Sequence, residues 1–193
     1  MDTHGAAPRA HVAATDKVSG RHYNGSLDSK SSFHGRGTLT WSDGARYEGE
    51  FHGQRHGRGA MTNSDGSCYE GDFQDDKMNG RGTMIWSDGA RYEGDFQYDK
   101  INGRGTLTLS DGARYEGDFK DDKKHGRGTW TWSDGARYEG DFQDGKRHGR
   151  GTMIWPHGSR YEGEFQDDKV HGRGTWTWSD GARYEGDYID GKK

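Results

Sequence analysis

Five histidines of this 193-residue chain stand in one phrase: His34, His56, His125, His148 and His171 each precede Gly-Arg-Gly. Imidazole is a common zinc ligand and general base, so a row of them is the first chemistry to test. Beside them run acidic phrases such as "DFQDDK" from Asp72 to Lys77, whose oxygens are of the type calcium takes. They lack the Gly-centred spacing of an EF-hand loop and read as solvated loop charge. Glycine-rich runs such as "HGRGTLTW" lack the Lys-Ser/Thr of a phosphate-binding loop and do not open a helix. No Ser-His-Asp or Cys-His set stands apart from the repeated phrases, whereas a catalytic centre is a unique constellation. The expectation is therefore no enzyme, no catalytic residue and no cofactor.

What positions these residues is a repeat. Tyrosines recur at Tyr23, Tyr47, Tyr69, Tyr92, Tyr115, Tyr138, Tyr161 and Tyr184, and the last five intervals share one period. Within each unit "RYEGDF" and "GTLTW" alternate with period two, the signal of a strand, and glycine at every third or fourth place would cripple a helix. Each unit is a β-hairpin. A three-residue loop of Ser42, Asp43 and Gly44 sets Trp41 opposite Ala45, Leu39 opposite Tyr47 and Gly37 opposite Gly49, which keeps apolar and charged groups on separate faces. That loop is a type I turn closed by a left-handed glycine, and Pro156 in "WPHGS" suits its second position.

One face then carries Leu39, Trp41, Tyr47, Gly49 and Phe51, and the other Thr38, Thr40, Arg46, Glu48 and Glu50, with Arg36 opposite Glu50. A ring can lie over a neighbouring strand's glycine, where no Cβ blocks it. This geometry answers the histidines. Equivalent atoms two strands apart lie about 9.6 Å from each other, and a zinc–nitrogen bond spans about 2.0–2.1 Å. No metal site is expected, and each histidine packs its loop.

Leu, Ile, Val and Phe number only 18, but Trp, Tyr and Phe together number 24 and the net charge is only -4, so rings must supply the buried area. Residues 1–20 match nothing in the unit and are expected to form a disordered leader before an array over residues 21–193 whose last unit is incomplete. No apolar run suits a membrane span or signal peptide, so a cytoplasmic chain, cytoskeletal or membrane-peripheral, is expected. Cys68 is the only cysteine, permits no intrachain disulfide, and is placed on the polar face.

"YEGDF", "DGKRHGRG" and "DGARYEG" at this period resemble MORN repeats, the membrane occupation and recognition nexus, over residues 21–193. The resemblance implies an all-β fold, an elongated single-layer antiparallel sheet of seven to eight tandem hairpins, and a scaffold binding partners along a groove. Departures are local: Asn63 and Leu109 replace the usual Trp, Asn79 and Asn102 the usual His, and the unit around "HGQRHG" is one residue short.

The expected function is a non-enzymatic scaffold holding an extended or helical segment of another protein on Trp41, Tyr47, Trp86, Tyr92, Tyr115, Trp130, Trp132, Tyr138, Trp155, Tyr161, Trp176, Trp178 and Tyr184. Lys123 and Lys124 are taken as loop charges. The edge from Tyr184 to Tyr188 suggests a homodimer by strand pairing. The family name and its association with lipid kinases raise binding of anionic phospholipid such as phosphoinositide, membrane tethering, or an accessory module of such a kinase. The unit from Ala90 to Gly112 sets Arg91, Lys100 and Arg104 against Glu93, Asp95, Asp99 and Asp111, a deficit that argues for weak or no lipid binding and no nucleic acid.

Overall fold

A computed structural model describes residues 11–16 and 20–192. The chain divides into two compact units, Met1–Ser87 and Asp88–Lys193. The first holds β1 (His11–Asp16), β2 (Arg21–Leu27), β3 (Phe33–Thr40), β4 (Arg46–His52), β5 (Gln54–Thr62), β6 (Cys68–Gln74) and β7 (Lys77–Ile85). The second holds β8 (Arg91–Gln97), β9 (Lys100–Thr108), β10 (Arg114–Lys120), β11 (Lys123–Thr131), β12 (Arg137–Gln143), β13 (Lys146–Ile154), β14 (Arg160–Gln166), β15 (Lys169–Thr177) and β16 (Arg183–Tyr188). In each unit every strand pairs antiparallel with the next. The fold is all-β, a single open layer of tandem hairpins, and the described residues contain no helix.

Two turns alternate along the chain. At the first, the Trp132 amide donates to the Ala136 carbonyl at 2.9 Å and Gly135, with φ +89°, donates to the Trp132 carbonyl at 3.0 Å. The Asp134 carboxylate accepts from the Ala136 amide at 2.9 Å, which explains the aspartate found in each such loop except "WPHGS", where His157 stands. This is the expected three-residue loop, and Leu39 faces Tyr47, Gly37 faces Gly49 and Arg36 faces Glu50 as the pattern requires. The second turn has two residues, such as Asp121 and Asp122 with φ +48° and +66°, the left-handed pair whose hand matches the strand twist. Aspartate tolerates that region better than most side chains. The shortened unit turns on Gly53 alone, between His52 and Gln54.

The disordered leader expected over residues 1–20 does not hold for His11–Asp16. These residues form β1, paired to β2 from His11 opposite Ser26 to Asp16 opposite Arg21. Without β1, β2 would present a row of unpaired amides and carbonyls, and Val12 and Thr15 favour a strand. The remainder of that leader, residues 1–10 and 17–19, lies outside the described residues.

The apolar layer is built ring over glycine. Tyr115 lies over Gly117 of its own strand and Gly128 opposite: a Cβ on Gly117 would stand 2.6 Å from the tyrosine Oη, the Gly128 Cα and the Arg127 carbonyl oxygen. The hydroxyl donates to the Asp118 carbonyl at 3.0 Å. Phe119 and Phe142 close on the ring edge to face, with centroids 4.9 and 5.1 Å away. Tyr138 repeats the arrangement with Phe142 and Phe165. From Tyr23 to Tyr161 the tyrosines in this place are fully covered although the sheet is one layer thick, and Tyr184 in the last strand is half-buried.

Candidate functional site

The residues expected to line a groove separate into two sets. Tyr47, Tyr92, Tyr115, Tyr138 and Tyr161 are each 0% exposed and Trp130 only 9%, so these rings hold the sheet and present little to a partner. Trp41 and Trp86 in the first unit, and Trp132, Trp155, Trp176, Trp178 and Tyr184 in the second, stay half-buried on the same face. Several of these indoles touch: Trp155 meets Trp176 at 4.5 Å between centroids, Trp176 meets Trp178 at 6.2 Å, and Trp132 meets Trp130 at 6.0 Å. The buried Nε1 atoms of Trp130 and Trp176 have no acceptor among the described residues.

A further position belongs to this face and was read from sequence as loop. Lys124 lies opposite Phe119, whose side chain faces the aromatic layer. Its Nζ sits 3.9 Å over the Trp130 ring, with Phe142 at 5.6 Å and Tyr115 at 5.9 Å. Arg147 takes the same place one unit on, over Trp132, Tyr138 and Phe165 at 5.4–5.7 Å, as does Arg55 over Trp41, Tyr47 and Phe73. Phe33, Met78, Ile101 and Val170 fill the equivalent place elsewhere. The usable signal was the alternation itself: counting back by twos from Gly128 reaches Lys124.

The acidic turns are structural and not merely solvated. The Asp168 carboxylate accepts from the Arg147 amide at 3.0 Å and from its Nε at 3.1 Å, while the Arg147 terminal nitrogen donates to the Asp168 carbonyl at 2.7 Å. Asp76 holds Arg55 in the same way, at 3.0, 3.0 and 2.6 Å. Lys124 has no such aspartate, because its counterpart in the next turn is Gly145, whose amide donates to the Lys124 carbonyl at 2.9 Å. Burial lowers the Lys124 pKa, and Asp168 partly offsets it.

The histidines of the row do not converge. His52, from the shortened unit, stands edge-on to His34 and His56 with centroids 5.6 and 6.1 Å apart, and no group of three or more His, Cys, Asp or Glu among the described residues could hold a metal ion. Cys68 is a free, half-buried thiol between Thr62 and Ile85. The opposite face of the second unit forms a concavity of about 970 Å³, lined by residues such as Arg127, Arg150, Arg173, Glu139, Glu162 and Thr152. Alternation predicts its charges but not its curvature. Pairs within one strand, such as Arg137 with Glu139 at 2.8 Å and Arg160 with Glu162 at 2.7 Å, neutralise much of it. No described helix is long and apolar enough to cross a membrane.

The MORN repeat model matches seven consecutive stretches, residues 32–46, 47–68, 69–91, 92–114, 115–137, 138–160 and 161–183. The chain belongs to the MORN-repeat family. No curated protein matches this MORN-repeat chain. Among solved structures, it is similar to the SAS-4 (dCPAP) TCP domain of Drosophila melanogaster, in complex with a proline-rich motif of Ana2 (dSTIL), at 9% identity and TM-score 0.49 over 96% of this chain and 97% of that one. It is also similar to the G-box domain of the microcephaly protein CPAP, at 11% identity and TM-score 0.49 over 93% of this chain and 100% of that one.

Proposed function

We propose that this MORN-repeat protein is a non-enzymatic scaffold that holds an extended segment of another protein across the aromatic face of its Asp88–Lys193 unit. The observation that carries the reading is the group Trp132, Trp155, Trp176 and Trp178, half-buried indoles above a closed layer of tyrosine and phenylalanine. Tryptophan on such a platform offers a partner large rigid contact area at low entropic cost. The partner's conformation follows from the repeat. Equivalent indoles lie two strands apart, about 9.6 Å, and a polyproline II segment returns to the same side every three residues, about 9.3 Å. A β-strand alternates sides at that spacing, and an α-helix climbs about 5.4 Å per turn.

The test titrates synthetic proline-rich peptides carrying leucine at every third or every fourth position, read by tryptophan emission. Saturable binding of the every-third peptide, lost in a folded Trp132→Ala, Trp178→Ala protein, is expected. Unchanged binding in that variant would overturn the reading.

A further inference from the structure

We infer that Lys124 is a receptor for a carboxylate on the bound segment, so that the partner is acidic where it crosses Trp130. The inference rests on the scaffold reading and adds the partner's chemistry to it. Among the described residues, the cations over rings on the aromatic face include Arg55, Lys124 and Arg147. The following turn supplies Asp76 to the first and Asp168 to the third. For Lys124 that turn supplies Gly145, and no described carboxylate comes within 4.0 Å of its ammonium. The nearest acidic influence, Asp168, is held by Arg147.

A half-buried ammonium against Trp130, Tyr115 and Phe142 has lost much of its water, and its rings return only part of what a paired charge gains. Gly145 is half-buried, and a Cβ there would meet no atom within 4 Å. The side where the sister turns place a carboxylate is therefore open to one from outside. Carboxylate is the fitting class because Lys124 presents one compact donor head in an aromatic cup, which suits a single acidic oxygen approaching beside an extended backbone.

The experiment compares two proline-rich peptides with leucine at every third position, one carrying a glutamate and the other glutamine in its place, on wild type, Lys124→Met and Gly145→Asp. Gly145→Asp is compatible with the fold, since Asp122 and Asp168 occupy the same turn position with φ +66° and +70°. It recreates the internal partner that Arg147 has. Wild type is expected to prefer the glutamate peptide about tenfold, as a charge-assisted hydrogen bond supplies. Both variants should erase that preference and keep the binding of the glutamine peptide. In Gly145→Asp, the Lys124 side-chain resonance should also titrate at higher pH without any peptide. Equal binding of the two peptides in all three proteins would overturn the carboxylate inference and leave the scaffold standing. Failure of both peptides to bind wild type would overturn the scaffold reading and this inference with it.

Discussion

Replacing Gly49 by alanine adds one methyl group to an exposed-looking strand, yet it should be among the most damaging small changes in the first unit. A Cβ on Gly49 would stand 2.5 Å from the Gly59 Cα and 2.7 Å from the Tyr47 Cζ. The first is backbone and the second a fully covered ring, so neither gives way cheaply. Such overpacking costs about 1–3 kcal/mol. Unseating Tyr47 also weakens its 3.0 Å bond to the Glu50 carbonyl, about 1 kcal/mol. Its edge-to-face contacts with Phe51 and Phe73, at 5.1 and 5.0 Å, contribute about 0.5–1.5 kcal/mol each. Alanine returns about 0.4–1 kcal/mol by narrowing the unfolded ensemble. With the tyrosine's contacts loosened and not lost outright, the net is about 3 kcal/mol, or a melting temperature lower by roughly 6–12 °C for a chain of this size. Glu48→Ala is the control, because its 2.6 Å pair with Arg46 is exposed on both sides and should cost under about 1 kcal/mol. Thermal unfolding followed by circular dichroism compares the two. A Gly49→Ala protein that melts with or above Glu48→Ala would show that the ring does not seal on the glycine.

Asp168→Ala should leave the Arg147 guanidinium half-buried without its carboxylate and lower stability by about 1–2 kcal/mol. Asp167→Ala, which meets the same positive-φ penalty but otherwise loses only an exposed 3.5 Å pair with Lys146, should cost about 1 kcal/mol less in the same melts. Alkaline unfolding should be tyrosine-driven: burial pushes Tyr47 and Tyr161 up from 10.0 to about 12, and Tyr115 and Tyr138 also upward. A raised tyrosine pKa means stability that is full below pH 10.0 and lost as pH climbs towards about 12. Lys124, with its lowered value, contributes the opposite slope below 10.5 but is one group against several tyrosines, Tyr23 and Tyr188 among them. Melting temperatures that stay flat across this window would contradict the buried tyrosine layer.

The hairpins were legible because two local codes agreed. The period-two alternation set the faces, and only the three-residue Ser-Asp-Gly loop kept Leu39 with Tyr47, a register the fold reproduces. The second turn was harder to read. Two aspartates at positive φ, as at Asp121 and Asp122, carry no Asn-Gly signal, and their value appears only when the neighbouring turn is in place to receive the second carboxylate. The strand at His11–Asp16 escaped for a related reason: its drive is the open edge of β2, a property of the sheet. Ion pairs run both along and across strands: Arg114 meets Glu116 at 3.0 Å because residues two apart on one face are near, while Arg127 meets Asp141 at 3.9 Å and Arg173 meets Glu185 at 3.4 Å on the neighbouring strand.

The candidate site was half legible for a reason internal to repeats. Tyrosine and tryptophan recur together, so sequence alone gives them equal standing, yet packing divides them: tyrosine has a glycine pair to lie on and disappears, while most of the indoles remain half covered. In a uniform array the constant residues build the sheet, and selectivity must sit where copies differ. The place after "DDK" or "DGK", or after "KSS", "HGQ" or "YDK" in the units that depart from them, is one of the most variable, holding Phe33, Arg55, Met78, Ile101, Lys124, Arg147 and Val170. Where that place holds arginine, the next turn holds a matching aspartate, Asp76 or Asp168. At Lys124 the match is broken by Gly145, and only the fold reveals that two residues so far apart in the sequence are one pair. A charge the chain leaves unpaired on its apolar face has only two answers, water or a partner, and the rings around Lys124 have already removed much of the water.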